Sequence, residues 1–94
     1  MTTGTPPRQL FDTATAREVI AAGGVTGATI EAHAGGFFVR FRLASGGGVT
    51  LADKRRKQAR RWRDLARAAQ YVRELGIARM TLDLDDWQPR QRAI

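Results

Sequence analysis

"DKRRKQARRWRDLAR", residues 53–67, decides the fold, because it supports two readings. One makes it the start of a long helix capped by Asp53, since Ala59, Trp62, Leu65, Ala66, Ala69, Val72 and Leu75 keep helical spacing. The other makes "KRRKQ" a turn and "ARRWR" a short strand, with Asp64 capping a helix over residues 65–75. Both readings put Trp62 in the core, in phase with Leu65, Ala69 and Val72. Both end at Gly76, a residue suited to the left-handed step past a helix end. The second is favoured: Asp64 stands where an N-cap is needed, and a cationic turn requires no packing partner.

Upstream, the pattern is that of strands. In "FFVRFRL" Phe37, Val39, Phe41 and Leu43 fall on one side, and Phe38, Arg40 and Arg42 on the other. That alternation is a half-buried antiparallel strand. "ATIEAHA" alternates before it and "VTLA" returns after it, with "GG" at 35–36 and "SGGG" at 45–48 as hairpin turns. Earlier still, "DTATAREVIAA" reads as a short helix capped by Asp12 or Thr13 and stopped by the glycines at 23 and 24. Downstream, Ile77, Met80, Leu82 and Leu84 in "IARMTLDLDDW" alternate with Thr81, Asp83 and Asp85 as a last strand. The order α-β-β-β-(β)-α-β predicts a small single α+β domain, a three- to five-stranded antiparallel sheet with one face covered by a helix. Residues 10–87 are expected to form that domain. Residues 1–9, with Pro6 and Pro7, and residues 88–94 read as tails.

The charge is distributed unevenly. The chain carries 16 basic and 9 acidic residues for a net charge of +7. Residues 54–67 hold eight basic residues and one acid, also +7, so the other eighty residues sum to zero. An anionic partner is therefore expected, nucleic acid or an acidic protein. Lys54, Arg55, Arg56, Lys57, Arg60, Arg61, Arg63 and Arg67 would neutralise phosphates, and Arg40 and Arg42, on the polar side of their strand, would extend the patch. Sequence preference would require Arg40, Arg42 or Arg55 to reach base edges. The plain alternative is a solvated charged loop, which most charge runs are. Trp62 could stack on a base, but its phase with the helix favours a core role.

Other constellations are weaker. Asp83, Asp85 and Asp86 invite a divalent cation, yet only the first two share a strand face, and ion pairing with basic residues explains them as well. His33 is the only histidine, and "EAH" alone makes no general base. "ASGGGV" lacks the Gly-Lys-Ser/Thr ending of a phosphate loop. Without cysteine there is no disulfide, thiolate metal site or thiol nucleophile. Neither a membrane-spanning run nor a signal peptide is visible, so a cytoplasmic, non-enzymatic protein without cofactor or metal is expected.

"GGFFVRFRL", "RRWRDL", "AAQYVRELGI" and "ARMTLDLD" together resemble the small ParC-like partition-associated proteins of plasmids and integrative elements, over residues 35–86. Members show an aromatic strand, a basic segment ending in Arg-x-Phe, a helix with a Leu-Gly-Ile-like step and a closing acidic-apolar strand. Trp62 stands where that family has Phe, and the turn here is more basic. The resemblance implies an accessory role in partition beside an ATPase and a centromere-binding protein, either of which is a candidate acidic partner. It also implies the turn-and-strand reading of residues 53–67. The small sheet leaves edge strands, so a homodimer through the last strand or the second helix is a further expectation.

Overall fold

The computed structural model describes residues 9–53 and 58–87. Eight elements follow in order: β1 (Gln9–Phe11), α1 (Thr13–Ala21), β2 (Val25–His33), β3 (Gly36–Leu43), β4 (Gly48–Asp53), β5 (Gln58–Ala59), α2 (Leu65–Glu74) and β6 (Thr81–Asp83). The chain is α+β, with one six-stranded, mostly antiparallel sheet. Residues 58–67 take the strand-then-helix course, the turn read at 54–57 lying outside the described residues, and α2 begins directly after Asp64, whose carboxylate accepts a hydrogen bond from the Ala66 N–H at 2.9 Å. Gly76 follows the helix with φ of 110°, a conformation that side-chain-bearing residues rarely take.

The sheet runs β1-β4-β3-β2-β6. Its centre is the antiparallel meander β2-β3-β4, with Ile30 opposite Val39 and Phe41 opposite Val49. The two outer strands depart from the antiparallel expectation. β1 lies parallel to β4 and β6 parallel to β2. In the sequence Gln9 reads as tail, and Leu10 and Phe11 open the domain without an element; instead Leu10 pairs with Thr50 and Phe11 with Leu51. β5 is a short return from β4, pairing Ala52 with Ala59 and Asp53 with Gln58. The chain then crosses to β3: the Arg60 N–H donates to the Leu51 carbonyl, and Trp62 and Phe37 exchange two backbone hydrogen bonds. Residues 58–62 thus fill the wedge where β3 and β4 diverge.

The turn between β2 and β3 sits one residue earlier than the glycines suggest. Ala34 and Gly35 are its central residues, with φ of 51° and 79°. Positive φ at both positions is what a two-residue hairpin of the type I′ kind requires. Gly36 already belongs to β3. A side chain there would collide with Arg61, whose stem and guanidinium occupy the place a Cβ would take.

One core lies between the sheet and two helices, not one. Ala28, Ile30, Val39, Phe41, Val49 and Leu51 meet Ala16 of α1, Ala68 and Val72 of α2, and Leu75 at the C-cap of α2. Trp62 joins them, 8% exposed, a core residue as both readings expect, but placed there by its backbone bridge to Phe37 and not by a helix. The Thr13 and Tyr71 hydroxyls hydrogen-bond and link the two helices. Among the described residues, the opposite face of the sheet carries no helix.

Candidate nucleic-acid interface

Pleating sorts the basic residues of 58–67 onto two sides. Arg60 and Trp62 share the helix side, and Arg61 points to the other. The Arg60 guanidinium lies over the rings of Trp62 and Tyr71, 4.8 and 4.6 Å from their centroids, so internal cation–π contacts engage it. Arg61 is anchored, donating to the Ala34 carbonyl at 2.9 Å, and its side is open to solvent. Arg63 and Arg67 are exposed at the start of α2. Arg67 comes within 3.9 Å of Asp64, but both side chains are more than half exposed, so the pair holds neither firmly. Lys54, Arg55, Arg56 and Lys57 lie outside the described residues. The structure therefore leaves Arg61, Arg63 and Arg67 exposed between β5 and the first turn of α2, Arg61 on the side away from the helices, and turns Arg60 inward.

Arg40 and Arg42 stand on the helix-free face of β3. Arg40 is committed to Glu31, its diagonal neighbour across β2, at 3.2 Å. Arg42 is exposed and makes no ion pair among the described residues. Phe38 and Ala59 lie between Arg40 and Arg61, and Glu31 and Asp53 stand beside the two arginines, so no unbroken basic track joins β3 to β5 on this face among the described residues.

The other side of the same face is acidic. Glu31, Asp83 and Asp85 line a groove of about 970 Å³ opposite Arg40 and Arg42. The groove is wide and polar, unlike the apolar, enclosed pockets that hold small molecules. Two of the three aspartates of "LDLDDW" have separate tasks. Asp83 accepts from the Asp85 N–H at 3.0 Å, and Asp86 accepts from the Ala34 N–H at 3.3 Å. The Asp86 carboxylate also stands 3.2 Å from His33 Nδ1, an exposed contact that fastens the chain after β6 to the β2–β3 turn. Among the described residues no three acids or histidines converge on one point. Among them, too, no helix is long and apolar enough to cross a membrane.

In the sequence Arg60 groups with its neighbours, because a two-residue strand is too short to show alternation among arginines. Arg79, outside the basic patch read from the sequence, is exposed beside β6 and has no ion pair among the described residues. Its position before an acidic strand was the available signal.

Comparison with known proteins adds one finding. The family model described as ParC-like matches residues 11–91, nearly the whole chain. No curated protein and no solved structure matches it.

Proposed function

The chain belongs to the ParC-like family, and from that premise we propose that it is a small cytoplasmic accessory protein of plasmid or mobile-element partition that binds DNA. The contact surface is the basic turn and the β5–α2 junction, with Arg42 at its margin. One observation carries this reading: the whole net charge of +7 falls within residues 54–67, and Arg61, Arg63 and Arg67 are exposed there. About five to seven phosphate contacts of this kind make binding steeply salt-dependent and largely blind to sequence.

A second reading is favoured by a different observation. Glu31, Asp83 and Asp85 stand along the same face as Arg40 and Arg42 and would repel a duplex laid across it. A face divided between acid and base suits a protein chain of mixed charge. In this reading the module docks on the partition ATPase or the centromere binder and modulates it.

Anisotropy of a labelled random duplex, titrated at three salt concentrations, separates the two. The comparison is with a variant in which Lys54, Arg55, Arg56 and Lys57 are alanine. Binding that falls steeply with salt and is abolished in the variant supports DNA contact. Absence of binding at the lowest salt removes it and leaves protein docking.

A further inference from the structure

The outer edge of β6 is unpaired among the described residues, and two large apolar side chains stand exposed on it or just beyond it. Leu82 is 45% exposed and Trp87 44% exposed, two of the three large hydrophobic residues left open to solvent among the described residues. An edge strand carries a row of backbone donors and acceptors and invites another strand. Around β6 no proline occurs between Arg79 and Trp87.

We propose that β6 pairs antiparallel with β6 of a second copy of this chain, centred on Leu82. The sequence "RMTLDLD", residues 79–85, is its own complement about that point. Leu82 of one copy faces Leu82 of the other. Met80 faces Leu84, Thr81 faces Asp83, and Arg79 faces Asp85. Met80 and Leu84 already pack against the core, and Leu82 is in register with the buried Ile30, so the apolar members share the helix side. β6 spans Thr81–Asp83; Thr81, Asp83 and Asp85, the last in the turn that follows, line the opposite side together, and the proposed ladder extends the alternation to Arg79. The side chains of Arg79 and Asp85 are exposed and make no ion pair among the described residues.

Neighbouring registers are poorer. Centring on Asp83 sets two carboxylates face to face, a destabilising cross-strand pair. Centring on Thr81 sets Asp85 against Ile77. Only the Leu82 register matches every position, and it joins two sheets into one continuous sheet with two basic segments. The pairing stands on the β6 edge alone and does not depend on DNA binding.

Sedimentation equilibrium on the full chain tests it. The wild type is expected to approach twice the 10.4 kDa chain mass with rising concentration. Leu82→Lys, a change at an exposed position, is expected to stay at chain mass with an unchanged circular dichroism spectrum. Arg79→Asp sets two carboxylates together at each end of the ladder and is expected to weaken association roughly ten-fold. The double variant Arg79→Asp with Asp85→Arg restores the pairs and the association. A wild type that stays at chain mass, a Leu82→Lys protein that dimerises like it, or a double variant no better than Arg79→Asp overturns the proposal.

Discussion

The Arg60 guanidinium rests on two rings at once, 4.8 Å from Trp62 and 4.6 Å from Tyr71, whose own centroids are 5.5 Å apart. This trio joins the strand after the basic turn to α2. An arginine within a basic run thus acts as an internal brace.

Arg60→Ala is therefore expected to cost about 1–2 kcal/mol of stability, because it removes both cation–π interactions and the packing of the arginine stem. Arg63→Ala, at an exposed position, is expected to leave stability within about 0.5 kcal/mol. For DNA binding the order reverses. Thermal melts and duplex titrations on the two variants check the crossing. Equally weakened binding in both would contradict the inward role of Arg60.

The Arg63→Ala, Arg67→Ala double variant carries a quantitative expectation. Removing one phosphate-neutralising side chain lowers the slope of log K against log salt by about 0.9. Removing two flattens it by roughly twice that, with little change in preference among duplex sequences. An unchanged slope would place the DNA-binding surface elsewhere.

Asp64 separates stability from binding. Its carboxylate caps α2 by accepting from the Ala66 N–H. Asp64→Ala is expected to cost about 1 kcal/mol, whereas Asp64→Asn keeps a capping oxygen and costs little. Both remove the one negative charge within residues 54–67, so both are expected to tighten duplex binding. Denaturant titration and anisotropy read the two effects independently.

Ala34 holds a left-handed conformation, φ 51°, that costs a side-chain-bearing residue roughly 1–2 kcal/mol. Asparagine adopts it more readily and is common at this turn position. Ala34→Asn is expected to stabilise the protein by about 1 kcal/mol, a rise of roughly 4–8 °C in Tm for a domain of this size. A lower Tm would mean the turn has another constraint.

The meander was legible because each central strand shows its burial by alternation. Phe37, Val39 and Phe41 are buried, as the spacing of "FFVRFRL" requires. Asp64 and Gly76 marked α2 because capping and left-handed geometry are local chemistry. β1 was not legible: "QLF" is too short for a period, and its partner β4 lies far along the chain. The β2–β3 turn reads one residue late in the sequence, because Ala34 holds a conformation that glycine usually supplies. At the candidate site, charge density located the surface. The inward turn of Arg60 depends on the crossover to Phe37, a long-range pairing that no local pattern announces.

The two parallel edges also bear on the order of assembly. β2, β3 and β4 come from one uninterrupted stretch and need only short hairpins to meet. β1 must find β4 from Gln9 to Val49, a separation of 40 residues (49 − 9), and β6 must find β2 from Thr29 to Thr81, a separation of 52 (81 − 29). Closing such spans costs chain entropy before any pairing offsets it. The meander is thus the natural folding nucleus, and both edges dock late. Substitutions in β3 should slow folding, while those in β1 or β6 should mainly hasten unfolding. The chain is completed from its middle outward, and the strand proposed to meet a second copy is among the last to take its place.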